Sequence, residues 1–234
     1  MDIDIRPIVM DELRSYFESL EAAFHGTLRD EELEIERAVA EPDRYLAAFE
    51  DGSIVGNAAA VSFRLTVPGG ARVTASGITA VGVLPSHRRR GITTALMERQ
   101  LRDTIAHGEP ISLLHASEGG IYGRFGYGVA TMLSEIDVQT ERSTFVRGIS
   151  AGGRTRLMSR DDAKERARPV YDAAAERPGM VPLDDRWWDW LFAAGHEDKD
   201  KPPFFVVQED EAGTPNAFAQ YRVKHRWPGG LPRN

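Results

Sequence analysis

Hydrophobic and polar positions change period several times along this chain, and the changes divide it into elements. Over residues 10–20 and 31–39 apolar residues recur at helical spacing among charges, which predicts two amphipathic helices. Residues 45–50 and 53–60 are apolar runs split by Asp51-Gly52, a pair that supplies the positive φ of a tight turn, and they predict a hairpin. A second hairpin is predicted from 61–67 and 71–76 around Pro68-Gly69-Gly70. Residues 77–83 are almost wholly apolar, the pattern of a strand buried on both faces, and Pro85 ends it. From Gly91 to about His107, Ile92, Ala95, Leu96, Leu101 and Ile105 fall at roughly helical spacing, closed by Gly108 and Pro110. Residues 111–115 predict another short buried strand.

The pattern then changes in kind. Residues 118–128 read EGGIYGRFGYG, and glycine at this density defeats a regular helix. Two readings stay open: a surface turn with aromatic anchors, or a loop whose backbone approaches a ligand. Residues 132–138 are strand-like, and 150–153 form a glycine-containing joint. A second unit begins near Arg154, with Leu157 in a strand, a helix over 161–175 and two hairpin strands at 204–208 and 217–223. Trp187, Trp188 and Trp190 between them are expected as packing anchors. The whole is a mixed α/β chain of two domains, 1–150 and 151–234, the second with too few elements to close its own core.

Composition narrows the function. The 234 residues carry a formal net charge of −7 and no cysteine, so thiolate metal sites, disulfides and cysteine nucleophiles are excluded. The six histidines show no metal-ligand spacing, and no metal is expected. No run of about 18 uncharged apolar residues occurs, so neither membrane insertion nor a membrane partner is expected, and a cytoplasmic location is the default. The acidic balance repels nucleic acid, which makes Arg88-Arg89-Arg90 a local exception. These arginines lie between a predicted strand and a predicted helix. The first amides of such a helix lack intrahelical acceptors and, with the helix dipole and guanidinium groups, make an anion site; Gly91 allows close approach, and Thr93 and Thr94 add hydroxyls. Neither a P-loop nor a dinucleotide fingerprint is present. Ser117 lies in Ala-Ser-Glu-Gly rather than a nucleophile elbow, which argues against a hydrolase.

These residues also carry a resemblance. Val81-Gly82-Val83-Leu84-Pro85 followed by Arg88-x-x-Gly91-x-Thr93 resembles the acetyl-CoA signature of the GNAT N-acetyltransferases, with threonine in the last small-residue place. Together with 115–128 it is similar to the Eis-type (enhanced intracellular survival) enzymes of that superfamily, and weaker similarity extends to 221–223. The resemblance implies a mixed central sheet flanked by helices, the GNAT fold, followed by a partial second GNAT-like domain. It implies acetyl-CoA as co-substrate: Val81, Gly82 and Val83 along the pantetheine arm, Arg88, Arg89, Arg90, Gly91, Ile92, Thr93 and Thr94 at the diphosphate, and Ser117 and Glu118 beside the cofactor. Tyr122 matches the general acid, with Tyr127 as a packing residue. The implied acceptors are cationic amines, aminoglycosides or lysine side chains, and the acidic run Asp30, Glu31, Glu32, Glu34 and Glu36 is compatible with steering them or with a solvated helix face. Eis-type proteins are about twice as long, form oligomers and draw their general base from the far C-terminus. The chain is therefore expected to end within the second domain without that base, which leaves a non-catalytic acetyl-CoA-binding module as the alternative.

Overall fold

The computed structural model describes residues 3–132, 144, 147, 152–193 and 203–222. The chain divides into two compact units, Met1–Gly128 with Ala174–Ala193 and Val129–Ala173 with Ala194–Asn234. In the first, five strands form one sheet in chain order: β1 (Asp4–Pro7), β2 (Tyr45–Glu50), β3 (Ser53–Thr66), β4 (Arg72–Val83) and β5 (Ile111–Leu114). All neighbours are antiparallel except β4 and β5. A parallel pair needs a crossover, and α3 (Ile92–Ala106) supplies it.

The apolar run of β2 follows from burial on both of its faces. Tyr45 and Ala47 cluster with Leu13, Tyr16 and Phe17 of α1 (Leu13–Ala23) and Leu33 of α2 (Asp30–Val39). Leu46 and Ala48, pointing the other way, cluster with Ile92 and Leu96 of α3. The sheet is thus sandwiched between helices. At its heart Arg44 and Glu109, with side chains 7% and 6% exposed, pair at 2.6 Å, and Arg44 also donates to Ser62 and Ser76.

The first hairpin turns at Asp51 and Gly52, both at positive φ (49° and 78°). The second differs from expectation. Segments 53–60 and 61–67 are one continuous strand, β3, and 71–76 and 77–83 are one continuous strand, β4. No proline or Asn/Asp-Gly pair stands at Ala60-Val61 or Ser76-Gly77, and Gly77 serves packing rather than a turn, since a Cβ there would meet the Phe63 ring at 2.6 Å, so each pair of short runs continues through. β1 was not predicted from sequence, because four residues containing Asp4, Arg6 and Pro7 carry no strand pattern by themselves. His115, expected in a buried strand, is exposed beyond the end of β5.

The compact units also depart from chain order. Thr66, at the end of β3, donates its N–H to Met180 O (2.9 Å), accepts from Gly179 N–H (2.8 Å) and donates its hydroxyl to Ala175 O (2.7 Å). Helix α5 (Asp185–Phe192), capped by Asp184, follows. On it Trp187 packs 5.1 Å from the ring of Phe63, Trp190 donates to Glu36 at 3.1 Å, and Trp188 is fully buried. The three tryptophans are packing anchors, and the helix that presents them was not anticipated.

The second unit holds a three-stranded antiparallel sheet, β6 (Arg154–Met158), β7 (Phe204–Glu209) and β8 (Pro215–Tyr221), and most of α4 (Arg160–Ala175). Buried Glu209 bridges Arg156 (2.8 Å) and Arg166 (2.5 Å). Of the predicted elements, 133–138, residues 150 and 151 of the joint, and Val223 lie outside the described residues.

Candidate functional site

The site begins where β4 and β5 part. Their pairing runs from Ala75–Ile111 to Ile78–Leu114, where β5 ends and β4 continues to Val83. Just beyond, Ala80 stands at φ +52° and the β3–β4 register slips, Ala59 facing Thr79 and Asn57 facing Gly82. This is a bulge in β4, and a left-handed alanine is strained by about 1–2 kcal/mol. Past the bulge, Val81, Gly82 and Val83 border a cavity of about 620 Å³. Only Gly77 and Ile78 of 77–83 are buried; Thr79 is exposed and 80–83 are half-buried, so the strand expected to be covered on both faces opens here instead.

The second wall is the start of α3. After a turn at Pro85–His87, Arg89 (φ +62°) and Gly91 (φ +80°) both take left-handed backbone. A Cβ on Gly91 would meet nothing within 4 Å, so glycine is needed there for its φ rather than for room. The helix's first interior bond is Ala95 N–H to Gly91 O (3.0 Å), and Gly91 provides no side-chain cap. The amides of Ile92, Thr93 and Thr94 have no intrahelical acceptor, and these residues line the cavity with Gly91.

The three arginines are treated differently. Arg88 lines the cavity, with Nη2 donating to Ala23 O at the end of α1 (3.3 Å). Arg89 is exposed and lines the cavity. Arg90, expected at the diphosphate, is not among the lining residues; its Nη1 and Nη2 donate to Glu50 at 3.1 and 2.5 Å. Glu50 also meets His87 Nε2 at 2.8 Å. The Arg90 bonds, helped by His87, pull the Glu50 carboxyl down to about 2.

Ser117, Glu118, Ile121 and Tyr122 line the same cavity. The glycine-rich segment forms a short 3₁₀ turn, Tyr122–Phe125, closed by Gly126 at φ +90°, a conformation that favours glycine. Tyr122 is half-buried against Ala60, Ile78 and Met97. Burial, then the Glu118 carboxylate, pushes its phenol above the ordinary value. Tyr127 does not line the cavity.

All the residues expected at the cofactor except Arg90 border this one cavity, and Tyr122 borders it too. Sequence reasoning missed Ala23, Phe24, His25, Ile121 and Arg124, which line it, and placed His87 only in a turn. His25-Gly26 is a helix-stop signal, but nothing local says that the stop faces a strand far along the chain. Among the described residues no three or more His, Asp or Glu side chains group to hold a metal, and no helix is long and apolar enough to cross a membrane.

The parted strands, the bulge and the start of α3 border one cavity, the arrangement that the resemblance implies for the GNAT fold, and comparison with known proteins agrees on the family. The profile of the acetyltransferase (GNAT) domain matches residues 4–130, and the chain belongs to that family. An uncharacterized N-acetyltransferase of Streptomyces avermitilis is 37% identical over 238 residues, covering 100% of this chain and 58% of that protein. N-acetyltransferase Eis of Mycobacterium tuberculosis is 34% identical over 177 residues, 73% of this chain and 42% of the relative. The crystal structure of Eis1 from Mycobacterium abscessus superposes with a TM-score of 0.69 at 33% identity, covering 94% of this chain and 53% of that one. The chain thus spans about half the length of these relatives, from 42% to 58%.

Proposed function

We propose that the first unit binds acetyl-CoA and transfers its acetyl group to a primary amine of a cationic acceptor, an aminoglycoside-like molecule or a lysine side chain, in the cytoplasm and without a metal. One observation carries this reading: a free strand edge, a set of unpaired helix amides beside Arg89, and a phenol kept protonated all border one cavity. In this reading Val81, Gly82 and Val83 receive the pantetheine arm as an added strand would be received. The amides of Ile92–Thr94, the positive end of α3, and Arg88 and Arg89 take the diphosphate. The cavity's size and its donor set at one end fit such a ligand.

The neutral amine attacks the thioester carbonyl carbon, the C–N bond forms and the C–S bond breaks. A backbone N–H near Val83 polarises the carbonyl oxygen, and Tyr122 donates its O–H to the departing sulfur. A thiolate with a conjugate acid near 8.5 is a weaker base than the phenolate of Tyr122, so the phenol chiefly stabilises the departing sulfur by hydrogen bonding, and whenever it does give up its proton it regains one from solvent. The attacking nitrogen, cationic in the tetrahedral intermediate, sheds its proton to solvent as the amide forms. The test is to mix the protein with acetyl-CoA and an aminoglycoside, follow thiol release, and measure cofactor binding by calorimetry. Binding with release above the Tyr122→Phe background supports the transferase. Binding with no release leaves a non-catalytic acetyl-CoA module, and absence of binding ends both readings.

A further inference from the structure

Glu50 is out of place by charge alone. It sits at the end of β2, before the Asp51-Gly52 turn, yet its carboxylate reaches the segment proposed to face the diphosphate. An anion beside an anion site weakens binding by repulsion unless it serves another end. Its partners show what that end is. One oxygen meets His87 Nε2 at 2.8 Å and Arg90 Nη1 at 3.1 Å, the other takes Arg90 Nη2 at 2.5 Å, and His87 Nδ1 lies 2.8 Å from Ser86 Oγ. Between the two held residues lie Arg88 and Arg89, the latter in left-handed backbone that a non-glycine residue adopts only under constraint. The carboxylate is mostly buried, its side chain 10% exposed, while the turn it grips is largely exposed.

We infer that Glu50 is a positioning residue, clamping His87 and Arg90 so that Arg89 and the amides at the start of α3 are set before the ligand arrives. Arg90 acts through this clamp and is not itself a diphosphate ligand. The inference rests on the acetyl-CoA reading for its consequence, though the clamp is a property of the free protein. Paying the ordering of a turn in advance is what raises affinity without a new contact.

The test exploits the sign of the charge effect. Glu50→Ala and Glu50→Gln both remove the negative charge, but glutamine keeps a donor and an acceptor for the two partners. The clamp predicts that acetyl-CoA binding, measured by calorimetry, weakens about tenfold in Glu50→Ala and less than about threefold in Glu50→Gln. It also predicts that adding Arg90→Ala to Glu50→Ala costs nothing further. Equal or tighter binding in both Glu50 variants overturns the inference, as does a full Arg90→Ala loss in the Glu50→Ala background. Should Glu50→Ala fail to fold, hydrogen exchange of residues 88–94 in ligand-free Arg90→Ala decides: the clamp predicts faster exchange than in the unmodified protein, and unchanged exchange sinks it. If the unmodified protein does not bind acetyl-CoA, the functional reading falls, and the exchange measurement still tests the clamp.

Discussion

The hydroxyl of Tyr127 lies 2.5 Å from Ser112 Oγ on β5, while the ring of Tyr122, packed edge-on 6.0 Å from it, borders the cavity. The two phenols of one glycine-rich loop therefore have different surroundings: one is tied to the sheet and the other is open to a ligand. On the proposed mechanism Tyr122→Phe lowers kcat for acetyl transfer by about 10²–10⁴-fold while acetyl-CoA affinity stays within about twofold. Tyr127→Phe changes kcat by less than about tenfold. Steady-state thiol release with calorimetric binding of both variants checks this, and equal losses would remove Tyr122 from its role.

The rate should also carry the phenol's signature in pH. Burial and Glu118 raise the Tyr122 pKa, so its proton remains in place through and above the ordinary phenol value of about 10. An alkaline fall in kcat is expected only beyond that range. A fall centred near neutrality would assign the titrating group elsewhere.

Arg44 and Glu109 test the fold rather than the chemistry. Deleting one charge of a buried pair strands the other, at about 3–5 kcal/mol. Glu109→Gln, leaving Arg44 with only serine partners and an amide, is expected to lower stability to chemical denaturation by that order. A change below about 1 kcal/mol would mean that water reaches the guanidinium.

Acid sensitivity has a named contributor in Glu12. Its carboxylate accepts from both terminal nitrogens of Arg6 (2.8 and 2.6 Å) and from Val9 N–H (3.0 Å), and the Arg6 bond above all lowers its pKa from the usual 4.5 to about 2. A carboxyl depressed in the folded state stabilises it above the unfolded value and loses that contribution as pH falls through the folded one. Tm should therefore drop more steeply between pH 4.5 and 2 in the unmodified protein than in Glu12→Gln. Parallel curves would show the pair to be inert.

How much of this was legible beforehand depended on whether the cause was local. The Asp51-Gly52 turn, the amphipathic helices, and the strand–arginine–glycine–helix order are written in adjacent residues, and they stand nearly where the pattern puts them. Where β4 opens was not legible, because the bulge at Ala80 has no glycine to mark it. The same holds for Arg90, since its partner Glu50 is forty residues away in sequence and only the folded sheet brings them together. Phe24 and His25 enter the site from α1 for that reason too.

The tie between Thr66 and residues 175–180 bears on how the chain can be cut. A fragment ending near residue 150 contains every expected cofactor contact, and so looks self-sufficient on paper. It would nevertheless lose the indole covering Phe63 and the three backbone and hydroxyl partners of Thr66. Bared aromatic surface and orphaned polar groups favour precipitation over folding. The first compact unit is discontinuous in the chain, and excising it whole means joining 1–128 to 174–193 across a designed bridge.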